Sequence, residues 1–258
     1  MPIKEVLKQK KAQVTIFILI AIAIFAVLVI MFYPKIKIYF VPSTPVSFID
    51  ECIKGEIDKI TERVSLQGGS SKPDFYYSYK GNKIEYLCYT NQYYKTCTMQ
   101  RPLLKQHIES EIKDYIEEKA RSCVYGLKEE MEKRGYSVSM NYQGVDVSIV
   151  PGNIIITLNA KMNMKKEEAT ESFNKFEIKK KSEIYNLVML TTNILNSEAR
   201  YGDTNIINYM FYYPEIKVEK LKQGDGSKVY ILTNTGTNEK FMFATRSLSW
   251  PGGYKLNL

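Results

Sequence analysis

The chain has few of the side chains on which most enzyme mechanisms depend. Its 258 residues include one histidine, His107, so a nucleophile activated by a histidine base has one possible centre. The motifs G-x-S-x-G and H-E-x-x-H and the phosphate-binding P-loop are missing. Adjacent glutamates such as Glu117 and Glu118 point about 100° apart on a helix and do not form a catalytic pair. We therefore expect no enzyme, no catalytic residue and no cofactor. Two carboxylates that are distant in the sequence can still come together in the fold, so an extracytoplasmic enzyme is kept as a third possibility.

Cysteine is scarce, and no C-x2-C pair occurs among Cys52, Cys88, Cys97 and Cys123. An even number of cysteines in a domain outside the cytosol is typical of disulfides. Cys88 and Cys97 flank a short tyrosine-rich segment and can close it as a loop. That leaves Cys52 and Cys123, each on the apolar face of a predicted helix. A zinc site with His107 as a further ligand is the alternative, but we expect no metal because the usual ligand spacing is missing.

The basic residues are scattered. The 36 Lys and Arg exceed the 28 Asp and Glu and give a net charge of +8. The densest cluster, 161–181, is interrupted by four glutamates, and no basic helix or aromatic RNA-binding motif occurs. We therefore expect no nucleic-acid partner.

The longest apolar run, Val14–Tyr33, contains almost no polar side chain. Twenty helical residues rise about 30 Å, the thickness of the hydrocarbon core of a bilayer. The run predicts a single transmembrane helix with membrane lipid as its partner. More lysines precede it than follow it, which favours a cytoplasmic N-terminus and an extracellular C-terminal domain. These lysines are Lys4, Lys8, Lys10 and Lys11 on one side, and Lys35 and Lys37 on the other.

This interpretation divides the chain into four parts. Residues 1–13 are a basic cytoplasmic flank, 14–33 the transmembrane helix, 34–45 a proline-containing stalk and 46–258 an extracytoplasmic α+β domain. A further boundary inside that domain falls near residue 135, where the helical period changes to the period of two that is typical of strands.

The pattern beyond residue 45 predicts an α+β fold with a mostly antiparallel sheet and three amphipathic helices. The helices are expected over Val46–Leu66, Pro102–Arg134 and Ser182–Arg200. Strands are expected over Phe75–Tyr79, Ile84–Tyr89, Tyr136–Met140, Val145–Ile149, Ile154–Met162, Ser172–Lys179, Ile216–Leu221, Val229–Thr233 and Phe241–Thr245. Turns are predicted at Lys80–Lys83, Gln143-Gly144 and Pro151–Asn153, and the last of these strands is predicted to close the sheet.

Tyrosine is concentrated around the Cys88–Cys97 segment. Tyrosine gives a large contact area at a small cost in conformational entropy, so a rigid hairpin that displays it suits recognition of a protein or a glycan. Packing of half of these rings within the sheet is the alternative. The ligand-contact candidates are Tyr76, Tyr77, Tyr79, Tyr86, Tyr89, Tyr93 and Tyr94.

The residues before the apolar run, Lys10-Lys11-Ala12-Gln13, resemble the N-terminus of archaeal type IV prepilins. The resemblance implies that a membrane-embedded aspartyl peptidase cuts between Ala12 and Gln13. It also implies that the freed apolar helix then packs against its copies in a filament. Phe17 stands where many bacterial pilins have a glutamate, which archaeal members often lack.

The pattern Asp50-Glu51-Cys52 leading into Leu66-Gln67-Gly68-Gly69, with Cys123 ending a later helix, is similar to a group of uncharacterised single-anchor archaeal surface proteins. This similarity implies the architecture and a Cys52–Cys123 bridge, but no chemistry. The expected function is a membrane-anchored structural protein, a pilin-like filament subunit that assembles through its N-terminal helix. A permanently anchored recognition or adhesion module is the alternative, with a cell-surface protein or glycan as its partner.

Overall fold

The computed structural model describes residues 17–28 and 44–249. The chain divides into two compact units, Met1–Phe48 and Ile49–Leu258. In the first unit, residues 17–28 form helix α1, which exposes its large apolar side chains.

The predicted transmembrane helix over 14–33 is corrected by the structure. In the ranges 17–28 and 44–249, no helix is both long enough and apolar enough to cross a membrane. The predicted single-pass localisation depended on the transmembrane helix and is corrected with it. Ala12, Gln13 and most of the predicted stalk lie outside the described residues.

The helices beyond α1 follow the predicted order, with one addition. They are α2 (Pro45–Leu66), α3 (Leu104–Lys133), α4 (Ile184–Tyr201) and α5 (Ile206–Tyr212). The first three carry a buried apolar stripe at helical spacing, as the sequence predicts. The short helix α5 was not predicted, so the expected number of three helices is wrong.

The structure is α+β, and its strands form two sheets. The first sheet has the order β1-β2-β9-β8-β7, with β3 paired to β2, and the second has the order β4-β5-β6. The strands are β1 (Tyr76–Tyr79), β2 (Asn82–Tyr89), β3 (Thr98–Met99), β4 (Ser137–Val150), β5 (Asn153–Lys166), β6 (Ala169–Lys181), β7 (Ile216–Lys222), β8 (Ser227–Asn234) and β9 (Lys240–Arg246).

The first sheet is mixed, because it contains one parallel pairing that was not predicted, while its other pairings are antiparallel. Strands β2 and β9 pair in parallel, whereas β8 pairs with β9 in the antiparallel direction. Strand β9 therefore lies in the middle of the sheet and does not close its edge. Its run Phe241–Thr245 is buried throughout, which fits a strand with a neighbour on each side.

The predicted turn at Gln143-Gly144 is also wrong, because β4 continues through it. The register with β5 shifts between Tyr142 and Gly144, and Gly144 has φ +118°. One extra residue in the strand and a glycine at positive φ are typical of a β-bulge. The turn predicted at Pro151-Gly152 does connect β4 to β5.

Helix α3 covers the outer edge of β4. The side chain of Glu109 accepts a hydrogen bond from the backbone N–H of Ile149 at 2.7 Å, and Glu117 accepts one from Val145 at 3.2 Å. These acidic side chains satisfy donors of an edge strand that would otherwise be open to pairing with another chain. Charged residues that the sequence presents as a solvated helix face thus hold α3 on the sheet.

The expectation of two disulfides is confirmed. Cys52 of α2 is bonded to Cys123 of α3 with a Cα–Cα distance of 5.9 Å, and Cys88 is bonded to Cys97 with a Cα–Cα distance of 5.3 Å. The first bridge joins two packed helices, and the second closes the loop between β2 and β3. The cysteines of the zinc alternative are therefore not available as metal ligands.

Candidate functional site

The loop closed by Cys88 and Cys97 displays two tyrosines. The rings of Tyr93 and Tyr94 are 75% and 73% exposed, among the highest values for large side chains in the described residues. Tyr94 adopts a left-handed backbone conformation with φ +62°, which is uncommon for an aromatic residue. The surrounding structure therefore holds this loop in a particular conformation.

Backbone hydrogen bonds fix the loop to the segment that follows β9. The N–H of Tyr94 donates to the carbonyl of Leu248 at 2.7 Å, and the N–H of Leu248 donates to the carbonyl of Lys95 at 3.1 Å. The N–H of Cys97 donates to the hydroxyl of Ser247 at 3.0 Å. The two exposed rings thus stand on an ordered backbone, which lowers the entropy cost of binding.

The other tyrosine candidates divide by burial. Tyr86 is buried, and its hydroxyl lies 2.7 Å from that of Ser227. Tyr77, Tyr79 and Tyr89 are half-buried, and Tyr76 is 38% exposed at the margin of the sheet. The rings of Phe75, Tyr86 and Tyr89 form one cluster with centroids 4.6–5.0 Å apart. Of the seven predicted ligand-contact tyrosines, Tyr93 and Tyr94 are therefore the most exposed, and Tyr86 is the one that is buried.

A second group of exposed aromatic side chains lies on α5. None of the residues of this helix, all of which the structure describes, is buried. Ile207, Phe211 and Tyr212 are 65%, 79% and 75% exposed. Side chains of this size are usually buried, and an exposed group of them is typical of interaction surfaces. We call the Cys88–Cys97 loop and α5 the two aromatic segments.

Both segments lie beside the last turns of α4, on different sides of that helix. Ala199 lines a shallow depression together with Tyr94. Ser197 and Tyr201 line a cleft of about 400 Å³ together with α5. Because residues 197 and 201 share a helix face that residue 199 does not, α4 separates the depression from the cleft.

Tyr209 fixes α5 to α4 and forms part of the cleft. Its hydroxyl lies 3.1 Å from the hydroxyl of Ser197 and 3.4 Å from that of Thr204, and it donates to the carbonyl of Asn193 at 3.4 Å. Asn205 caps α5, since its side-chain oxygen accepts a hydrogen bond from the N–H of Ile207 at 3.0 Å. The full lining of the cleft is Ser197, Tyr201, Asp203, Thr204, Asn205, Asn208, Tyr209 and Tyr212.

A buried charge cluster adjoins the cleft at Gly202 and Asp203. The ammonium group of Lys228 lies 2.8 Å and 2.9 Å from the two carboxylate oxygens of Glu198 and 2.6 Å from the carbonyl of Gly202. The hydroxyl of Tyr230 also donates to Glu198. Glu198 is fully buried, and burial raises the pKa of its carboxyl despite the neighbouring Lys228. Burial, together with the Glu198 carboxylate, also raises the pKa of Tyr230.

Asp203 connects this cluster to the cleft. Its carboxylate accepts hydrogen bonds from Lys220 at 2.8 Å and from Lys228 at 3.3 Å, and it pairs with Lys222 at 3.3 Å. Burial opposes ionisation of Asp203, but Lys220 and Lys228 outweigh it and hold the pKa well below its ordinary value. Three lysines thus compensate the one acidic side chain of the cleft. Folding does bring two carboxylates to one ammonium group here, and the carboxylate of Glu198 is fully buried.

His107, the only histidine, lies in a different cluster. Its Nε2 is 2.8 Å from the hydroxyl of Ser70, which itself donates to the carboxylate of Glu85. Arg101 also pairs with Glu85 at 2.8 Å. A hydroxyl carries one hydrogen, so Ser70 donates to Glu85 and accepts from His107. In this arrangement His107 does not act as a base on Ser70; the contacts attach the turn after α2 to α3.

Metal ligation finds no support in the residues that the structure describes. No group of three or more His, Cys, Asp or Glu side chains has the geometry of a metal site in those ranges.

No protein-family model, no curated protein and no solved structure matches the chain. The interpretation of the site therefore depends on its own geometry and chemistry.

Sequence reasoning missed α5, Tyr201 and the charge cluster. Apart from Asn208 the segment Ile206–Tyr212 is apolar or aromatic, and it is only seven residues long, so neither a helical nor an alternating period is visible. The one local signal is Asn205, a preferred helix N-cap directly before the apolar run. The pairing of Glu198 with Lys228 joins residues that are 30 positions apart, and no pattern in the sequence connects them.

Proposed function

We propose that the protein is a non-catalytic binding module that recognises a partner through its two aromatic segments. The observation that carries this proposal is the exposure of Tyr93, Tyr94, Phe211 and Tyr212, each 73% or more, on backbones that hydrogen bonds hold in place. Tyrosine and phenylalanine are enriched where partners bind, because a large ring gains contact area while few torsions are frozen.

The disulfides support a location outside the reducing cytosol. The structure leaves no free cysteine among the described residues. Paired cysteines persist in oxidising compartments and are rare in the cytosol. A recognition role in such a compartment requires a surface that keeps its shape without a partner, and the Cys88–Cys97 bridge provides this for the first aromatic segment.

Removal of the exposed rings should weaken binding without weakening the fold. We expect Tyr93→Ser/Tyr94→Ser, and separately Phe211→Ser/Tyr212→Ser, to reduce binding of the full-length chain to soluble, envelope or secreted fractions of its source organism. The expected loss is about tenfold or more for at least one pair, as for truncated aromatic residues at interfaces. Binding is measured with immobilised protein against each fraction.

The matched control is Tyr125→Ser, which changes a tyrosine that is 46% exposed on α3 and outside both aromatic segments. Free energies of unfolding for all variants should stay within about 0.5 kcal/mol of the parent, as expected for exposed sites. If no fraction binds the parent chain, or if both paired variants bind as well as Tyr125→Ser, the proposal is wrong.

A second candidate function is self-assembly into a pilin-like filament. The observation that favours it is α1, whose side chains Phe17, Leu19 and Phe25 are 69%, 61% and 69% exposed. Apolar side chains of this size gain free energy when copies of the helix bury them against one another.

The resemblance at Lys10-Lys11-Ala12-Gln13 makes this candidate testable. We expect Ala12→Leu to block removal of the basic flank and to abolish filaments, because the peptidase of that family cuts after a small residue. N-terminal sequencing and electron microscopy measure the two effects, and Lys4→Ala is the control outside the motif. Unaltered filaments from the Ala12→Leu strain would contradict the candidate.

A further inference from the structure

We propose that the cleft between α4 and α5 binds a neutral saccharide. This inference rests on the proposed recognition function and names the class of its ligand. At about 400 Å³ the cleft lies within the ~300–1,000 Å³ that is typical of ligand sites. It is open to solvent, as a site for part of a longer chain of sugars must be.

The lining matches the two chemical faces of a sugar ring. A pyranose has an apolar face of C–H groups that packs against an aromatic ring, and Tyr201 and Tyr212 supply exposed rings at the cleft. Its hydroxyls are both donors and acceptors and require partners of both kinds. Asn208 carries an amide that offers both, and Ser197 and Thr204 carry hydroxyls.

The charge at the cleft favours a neutral ligand. Asp203 is its one acidic lining residue, and no lysine or arginine lines it. The ammonium groups of Lys220, Lys222 and Lys228 are engaged with that carboxylate. Asp203 would repel an anionic ligand, and the lysines that compensate Asp203 would repel a cationic one. A neutral ligand rich in hydroxyls is repelled by neither charge and can still donate a hydrogen bond to the carboxylate of Asp203.

The polar groups are also held ready for a ligand. Tyr209 is tied to both α4 and the segment before α5, and the backbone N–H of Thr204 donates to Asp203 at 2.9 Å. The side-chain oxygen of Asn205 is used in the helix cap, which leaves its amide nitrogen as the group that can donate to a ligand. Groups that are positioned before binding lose little entropy when a ligand arrives.

Chemical treatment of the bound fraction separates a saccharide from a protein. The fraction of the source organism that binds the full-length chain is treated with protease or, in parallel, with periodate, which cleaves vicinal diols. We expect binding to survive protease and to be lost after periodate. Maltopentaose or mannopentaose should compete for the site, and tetragalacturonate, an anionic oligosaccharide, should not.

Substitutions of residues that line the cleft test whether the saccharide binds there. Asn208→Ala and Tyr212→Ala should each weaken binding roughly tenfold. Asn174→Ala, on the exposed outer strand β6, and Tyr125→Ala, on α3, are the matched controls and should bind as the parent does.

The two proposals fail in different ways. Binding that protease abolishes and periodate leaves intact would overturn the saccharide and keep the recognition function. Competition by tetragalacturonate alone, or binding unchanged by both cleft variants, would also overturn the saccharide at this site. Failure of every fraction to bind the parent chain would overturn both proposals.

Discussion

Replacement of Lys228 by methionine should destabilise the protein by about 3–5 kcal/mol, the usual cost of removing one partner from a buried ion pair. The ammonium group of Lys228 makes four polar contacts, to both oxygens of Glu198, to the Gly202 carbonyl and to Asp203. Methionine keeps most of the volume and removes all four. Urea unfolding at pH 7, followed by circular dichroism, measures the loss.

The pH dependence of this loss identifies its cause. Without Lys228 the carboxyl of Glu198 stays buried, so its pKa in the folded protein rises further above the unfolded value. A carboxyl whose pKa is higher in the folded than in the unfolded protein lowers the free energy of unfolding once the pH rises above its unfolded pKa. Below that pH it has no such effect. The deficit of Lys228→Met relative to the parent should therefore shrink as the pH falls from 7 towards about 4.

The control for this variant is Lys222→Met. Lys222 also pairs with Asp203, but its side chain is 64% exposed. An exposed pair contributes about 0–1 kcal/mol, and its loss should not depend on Glu198. Equal deficits for the two variants, or a Lys228→Met deficit that does not change with pH, would contradict the account of the cluster.

The parts of the fold that sequence reasoning predicted are those that local chemistry decides. Helix α2 begins after Thr44, which exchanges hydrogen bonds with Ser47, and it ends at Leu66, shortly before Gly68 and Gly69, which are both at positive φ. The hairpin turn Lys80-Gly81 also has positive φ at both residues, as a tight turn between twisted strands requires. Each of these signals lies within a few residues of the feature that it specifies.

The parts that were missed depend on contacts between distant residues. The parallel pairing of β2 with β9 aligns Tyr86 with Ala244, and no local pattern specifies the partner of a strand. The bulge at Gly144 looks like a turn in the sequence because glycine suits both. Its partner strand β5 decides between them, since the ladder continues on both sides of the shift.

In the candidate site, too, features set by the local sequence were predicted and features set by distant contacts were missed. Abundant tyrosine beside Cys88 and Cys97 predicted an aromatic surface, and Tyr93 and Tyr94 are indeed exposed. Tyr86 is not, because β2 lies between β1 and β9 and is buried along most of its length. Strand alternation therefore does not distinguish the inward from the outward rings in this hairpin.

Removal of the Cys52–Cys123 bridge should cost more stability than removal of Cys88–Cys97. The bridges span 71 and 9 positions of the chain. In the chain-entropy model these separations correspond to about 4 and about 2.5 kcal/mol. Cys52→Ala/Cys123→Ala and Cys88→Ala/Cys97→Ala, compared by urea unfolding, test the order. A loss that is equal for the two pairs, or larger for the short loop, would contradict it.

Binding should follow the opposite order. Only the short bridge closes the loop that presents Tyr93 and Tyr94, and without it these rings stand on a backbone with more conformations to lose on binding. The Cys88→Ala/Cys97→Ala variant should therefore bind the partner fraction less tightly than the Cys52→Ala/Cys123→Ala variant, although it is the more stable of the two. Binding that falls in proportion to stability in both variants would mean that the loop has no recognition role of its own, and would leave the cleft beside α5 as the binding surface.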